Sequence, residues 1–264
     1  MNDNDFKLLK KIEVWLLDMD GTIYLDEHLI DGAQDFLHFL IEKKKRFVFL
    51  TNNSSKSSAV YVQKLHRLGL TFVREKDVYT SGQATAAYIM KHFRNQKVFL
   101  LGTPELREEF IQSNILLSED PDIVVLGFDT TLTYQKLWKT CDLIRKGLPY
   151  IATHPDLNCP VKDGFMPDIG SIIAFVKAST GREPDMIIGK PNLPILQAIS
   201  EKFTTDLLKV CMVGDRLYTD IAMGEKGIQT VLVLSGETKM EDIPNSPFQP
   251  DLVVQSVGEL VGKF

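Results

Sequence analysis

Val14-Trp15-Leu16-Leu17-Asp18-Met19-Asp20-Gly21-Thr22 is the stretch from which the rest of the chain can be read. Its apolar run, rich in branched residues and ended abruptly by acid and glycine, has the pattern of a strand buried on both faces. The carboxyl end of such a strand is where open α/β sheets place their ligands. If extended geometry persists through Asp20, Asp18 and Asp20 share one side, roughly 6 to 7 Å apart, while Met19 turns away. Gly21 has no Cβ, so the chain can turn tightly there and a ligand can approach its N–H group.

Outward from this strand the pattern repeats. Thr22–Asp31 reads as a loop, and Gly32 opens a helix with Phe36, Leu37, Leu40 and Ile41 on one face. A second buried strand, Phe47-Val48-Phe49-Leu50, runs into Thr51-Asn52-Asn53-Ser54-Ser55. A strand-to-helix junction of this kind offers outward N–H groups to an anion. A third strand falls at 78–80, and at Ser81-Gly82 an insert begins with its own alternation. Its elements are strands 97–101, 122–127 and 149–152, helices 104–112, 133–146 and 170–180, and an irregular loop at 153–169. The turn-rich Thr180-Gly181-Arg182-Glu183-Pro184 closes it.

From Asp185 the first pattern is expected to resume. The strands are 185–188, 208–213, 229–233 and 252–254, and the helices 192–202, 219–226 and 256–262. The expected division is 1–80 and 183–264 for a core domain, with 81–182 inserted. The fold class is α/β: a Rossmann-like parallel sheet with helices on both faces, plus a smaller α/β insert.

Composition narrows the function. Thirty Lys and Arg against 35 Asp and Glu give a net charge of −5, without the basic footprint of a nucleic-acid binder. The basic run Lys43 to Arg46 sits where a helix ends, as cations do to complement the dipole. Three cysteines, Cys141, Cys159 and Cys211, have no C-x-x-C spacing, so neither a disulfide framework nor a zinc site is indicated. Met1 to Lys11 is polar and mixed in charge, unlike a signal peptide, and no apolar run approaches the ~18 residues of a membrane span. A cytoplasmic protein with no membrane partner is expected.

In a parallel sheet every strand delivers its carboxyl end to one edge, so Asp18, Asp20, Thr51, Asn52, Lys190, Asp215 and Asp220 can converge. Four carboxylates and one ammonium leave a formal −3, and like charges ~4 Å apart repel by about 4 kcal/mol at an effective dielectric of 20. Such a site calls for a cation, and an all-oxygen ligand set shared with phosphate suits Mg²⁺. Singly, each residue fits a turn, a cap or an exposed lysine equally well. Their order after four successive buried strands is what caps and turns leave unexplained.

Four segments carry a resemblance: D-M-D-G-T at Asp18–Thr22, T-N-N at Thr51–Asn53, G-K-P-N at Gly189–Asn192 and G-D-R-L-Y-T-D at Gly214–Asp220. They resemble the four motifs of the haloacid dehalogenase superfamily phosphatases. The insert, with A-T-H-P-D at Ala152–Asp156 and G-S-I-I-A at Gly170–Ala174, is similar to the large α/β cap of the NagD-like, 4-nitrophenylphosphatase subfamily. One departure is Pro167-Asp168-Ile169-Gly170, where many relatives have Pro-Gly-Ala-Gly. The resemblance implies a phosphatase in which Asp18 attacks phosphorus and Asp20 serves as acid and then base. It implies Mg²⁺ on the Asp18 carboxylate, the Asp20 main-chain carbonyl and Asp215. Phosphate would be held by Gly21, Thr51, Asn52 and Lys190, with Asp220 orienting Lys190. In the cap, the loop bearing His154, Asp156 and Asp168 would read the leaving group of a small phosphorylated metabolite. For His154 a structural hydrogen bond is an equal reading, and a cap-mediated homodimer fits the resemblance. The competing classes are a phosphometabolite-binding protein without turnover, a receiver-type phosphoacceptor domain and a dehalogenase.

Overall fold

The computed structural model describes residues 6–161 and 164–264, so the reading of Met1–Lys11 lies partly outside the described residues. In chain order the strands and helices begin with β1 (Val14–Leu17), β2 (Tyr24–Leu25), β3 (His28–Leu29), α1 (Ala33–Glu42), β4 (Arg46–Thr51), α2 (Ser58–Arg67) and β5 (Val78–Thr80). Next come α3 (Ser81–His92), β6 (Lys97–Leu101), α4 (Pro104–Gln112), β7 (Leu116–Leu117), β8 (Ile123–Leu126), α5 (Tyr134–Arg145) and β9 (Tyr150–Ala152). The remainder is β10 (Asn158–Val161), β11 (Gly164–Pro167), α6 (Ile169–Thr180), β12 (Met186–Ile187), α7 (Leu193–Phe203), β13 (Val210–Gly214), β14 (Gln229–Val233) and β15 (Leu252–Val254). The chain divides into two compact units. One contains the residues up to Thr51, Val62–Tyr79 and Ile199–Phe264; the other contains Asn52–Tyr61 and Thr80–Ala198.

The first unit is built on a six-stranded sheet of order β15-β14-β13-β1-β4-β5. β1 lies inside it, parallel to β13 on one side and β4 on the other, with Leu17 opposite Val213 and Phe49. Val14, Trp15, Leu16 and Leu17 are all fully buried, as expected of a strand covered on both faces. Phe36 of α1 meets Trp15 edge-on, with ring centroids 5.6 Å apart.

The second unit has a five-stranded sheet, β12-β9-β8-β6-β7. Its core gathers Leu101, Val124, Leu126, Ile144, Tyr150, Ile169 and Val176. Side-chain caps set its helix starts: Thr80 accepts from the Gln83 amide to open α3, and Thr103 accepts from the Leu106 amide to open α4.

Three expectations are corrected. The strand near 185–188, expected to resume the first domain, is β12, which pairs with β9 in the second sheet, Met186 opposite Ile151. The loop 153–169 contains the hairpin β10–β11, Asn158 opposite Pro167 and Pro160 opposite Phe165. Its prolines and glycine read as breakers, but a two-stranded ribbon is all edge and tolerates a missing N–H. The helices expected at 219–226 and 256–262 are 3-10 turns, Ile221–Lys226 and Val257–Leu260. Among the described residues no helix is long and apolar enough to cross a membrane.

Candidate active site

In the first unit the parallel register of β1 and β13 sets Asp18 and Asp215 side by side, each just beyond its strand. The Asp18 amide donates to the Val213 carbonyl (2.9 Å), continuing the ladder by one residue. Asp220 returns to the same place because the turn after Gly214 folds back, its amide donating to the Arg216 carbonyl (3.0 Å) and its Oδ2 accepting from the Arg216 amide (3.2 Å). Carboxylate oxygens of Asp18, Asp215 and Asp220 all lie within 4.8 Å of one another. Thr51, buried, ends β4, the strand on the other side of β1.

Three carboxylates so close cannot all stay ionised cheaply. Burial, then the Asp18 and Asp220 charges, push the Asp215 carboxyl up to about 8 against an ordinary 3.8. Asp215 Oδ2 accepts from the Glu237 amide (2.7 Å), whereas Asp215 Oδ1 is buried without a hydrogen-bond partner. A buried carboxylate that keeps one oxygen without a hydrogen-bond partner and clusters with two other carboxylates fits a hard cation with oxygen ligands. Asp220, assigned from the sequence to orienting Lys190, is a candidate ligand in its own right.

Gly21 also differs from expectation. Its amide donates to the Tyr24 carbonyl (2.8 Å), closing the turn, and so is not offered to a ligand. What the position requires is space and a left-handed backbone: φ is +78°, and a Cβ would stand 2.5 Å from Asp215 Oδ2. Met19 turns inward as expected and is buried, its carbonyl accepting from the amides of Thr22, Ile23 and Tyr24. Asp20 keeps 60% of its side-chain surface exposed. Desolvation on its crowded side raises its pKa, helped by Asp18 and opposed by Lys64 and the Tyr24 hydroxyl.

In the second unit Asn52 and Lys190 come together, through a contact that spacing could not reveal. Asn52 Oδ1 accepts from the Lys190 amide (2.8 Å), and Asn52 Nδ2 donates to the Lys190 carbonyl (3.0 Å) and to Asp156 Oδ1 (2.9 Å). One amide side chain thus fixes the backbone of a buried lysine. Gly189 makes that approach feasible, since a Cβ there would lie 2.6 Å from Asn52 Oδ1 and 2.7 Å from the His154 Cβ.

His154 takes the structural hydrogen bond that was one of its two readings, and Asp168, expected to face a leaving group, is its partner: both are buried, Nε2 to Oδ1 at 3.0 Å. With the carboxylate accepting, Nε2 carries the proton and Nδ1 accepts from the Thr153 hydroxyl (3.0 Å). Asp168 Oδ1 also accepts from the Ile169 amide (2.5 Å) where α6 begins. The aspartate standing in place of glycine in the Pro-Asp-Ile-Gly segment is therefore a helix cap and an anchor for His154. Asp168→Ala removes both bonds and is expected to lower unfolding free energy by about 2 kcal/mol, with Asp168→Asn milder because it still offers an oxygen. Urea melts of the three proteins that coincide would contradict this.

The first unit thus brings together Asp18 at the end of a central parallel strand, Asp215 and Asp220 beside it, and a further acid, Asp20, two residues on. Comparison with known proteins gives the family. Residues 15–115 match the haloacid dehalogenase-like hydrolase model and residues 187–260 a HAD-hydrolase-like model. The chain is 33% identical over 259 residues to the acid sugar phosphatase of Staphylococcus aureus, covering 97% of this chain and 99% of that one. In structure it is similar to 4-nitrophenylphosphatase from Thermotoga maritima, with TM-score 0.93, 52% identity and coverage of 96% and 98% of the two chains. It is also similar to NagD from E. coli K-12, with TM-score 0.87, 30% identity and coverage of 94% and 98%. The chain belongs to the haloacid dehalogenase-like hydrolases, among their NagD-like phosphatases.

Proposed function

We propose that the chain is a cytoplasmic, Mg²⁺-dependent phosphomonoesterase for small phosphorylated metabolites, with sugar phosphates the first class to test and nucleoside monophosphates the second. The observation that carries the reading is the unpartnered Asp215 Oδ1 within the Asp18–Asp215–Asp220 cluster. The name of the staphylococcal relative supports sugar phosphates, and that of the Thermotoga relative supports 4-nitrophenyl phosphate as a reporter.

In this reading Asp18 attacks phosphorus, forming an O–P bond to its carboxylate as the bond to the leaving oxygen breaks. Asp20 gives the leaving oxygen a proton, then takes one from the water that cleaves the aspartyl phosphate. Asp18, the Asp20 carbonyl and Asp215 are assigned to the metal, with Asp220 beside them. A bound divalent ion supplies neutralisation of the carboxylates and of charge on the phosphoryl group. Thr51, Asn52 and Lys190 are assigned to the phosphoryl oxygens, and Asn52 holds the Lys190 backbone rigid for that task. The cap is assigned to the part of the second unit that runs from α3 to β12; its loop 153–169 reads the leaving group, half-buried Asp156 serves as a contact, and His154 with Asp168 holds the loop from inside.

A panel of sugar phosphates, nucleoside monophosphates and 4-nitrophenyl phosphate, assayed with Mg²⁺ and with chelator, tests this. Mg²⁺-dependent release from sugar phosphates is expected. Equal release under chelation, or none from any monoester, would contradict it.

A further inference from the structure

Asp20 lies beyond the end of β1 on a turn, with 60% of its side chain exposed. Proton exchange with a leaving oxygen requires one oxygen held within hydrogen-bond reach of a defined point. Two neighbours within the first unit meet the two oxygens separately. The Tyr24 hydroxyl donates to Asp20 Oδ2 at 3.1 Å, and Lys64 Nζ stands 3.9 Å from Asp20 Oδ1. The same ammonium lies 3.8 Å from the centroid of the Tyr24 ring, so the three side chains close a triangle.

Each member is itself held. Tyr24 is 1% exposed, and its backbone is tied into the turn that carries Asp20 by the Tyr24 amide to the Met19 carbonyl and the Gly21 amide to the Tyr24 carbonyl. Lys64 projects from α2, whose neighbouring Leu65 is fully buried, and only 24% of the lysine side chain is exposed. A lysine with no task on a surface helix extends its ammonium into water. This one is folded over an aromatic face beside a carboxylate.

We propose that Lys64 and Tyr24 are positioning residues for Asp20, locking its carboxyl in one rotamer so that it meets the leaving oxygen. The inference rests on the Asp20 role given under Proposed function. It is tested by kcat/KM with Mg²⁺ for phenyl phosphate and 4-nitrophenyl phosphate, which share a shape but differ in how much the departing oxygen needs a proton. Asp20→Asn, the reference, should lose far more on phenyl phosphate. Lys64→Met should show the same pattern more mildly, about tenfold down on phenyl phosphate and about threefold on 4-nitrophenyl phosphate. Lys64→Arg should recover most of the loss. Tyr24→Phe keeps the ring but not the hydroxyl and should repeat the selectivity, so the test survives poor folding of either variant. Equal losses on both substrates in Lys64→Met and Tyr24→Phe, with Asp20→Asn selective, would overturn the positioning role and leave the reading of Asp20 intact. An unselective Asp20→Asn would overturn that reading, and this inference with it.

Discussion

Asp18→Asn is expected to abolish Mg²⁺-dependent phosphate release from 4-nitrophenyl phosphate, a loss on the order of 10⁴-fold or more, because a neutral amide is too weak a nucleophile to displace the nitrophenolate from phosphorus. The substitution conserves shape, and the Asp18 main-chain bond to Val213 does not involve the side chain. The variant should therefore fold. It also removes one of the charges that repel Asp215. Lost activity with an undiminished melting temperature is thus the expected combination. Turnover within tenfold of wild type would remove Asp18 from the nucleophile's role.

The second large effect concerns protons and the metal together. Asp215 has a folded pKa of about 8, far above its ordinary 3.8, so between these values the folded chain binds more protons than the unfolded one. Its contribution to stability is fully present below 3.8 and is lost as pH rises through about 8. Chelator-treated protein should accordingly lose stability, on the order of a few kcal/mol, between pH 5 and pH 9, and Mg²⁺ should restore it at the alkaline end. Asp215→Asn cannot ionise. It should flatten the pH dependence, melt above wild type at pH 9 without metal, and give no response to Mg²⁺. Parallel melting curves for the two proteins across that range would contradict the proposed origin of the shift.

Much of this was legible in the sequence because buried parallel strands announce themselves. Val14–Leu17 is apolar on both faces, and so are Ile123–Leu126 and Val210–Val213, and all three are strands of buried residues. Motif order after such strands was enough to anticipate the meeting of Asp18 with Asp215. What escaped was decided by three-dimensional pairing. Met186–Ile187 has the composition of a strand for either sheet, and only its hydrogen bonds to β9 assign it. Gly21 advertises flexibility, but the sequence does not say that its amide is spent on Tyr24 or that its missing Cβ makes room for Asp215. A structural hydrogen bond was one of two readings for His154, but that its partner is Asp168, and that the pair is thereby buried, is visible only in three dimensions. Lys64 belongs to none of the motifs in the sequence. Its contact with Tyr24 and Asp20 depends on where α2 packs, which no local pattern encodes.

The most direct measurement is acid quenching, within milliseconds, of the Mg²⁺-loaded protein mixed with an equimolar phosphomonoester, followed by peptide mass spectrometry. The expected result is a phosphoryl group on the peptide carrying Asp18 in wild type and on no peptide of Asp18→Asn. Phosphoryl transfer to any other side chain, or release of phosphate by Asp18→Asn at the wild-type rate, would contradict the account.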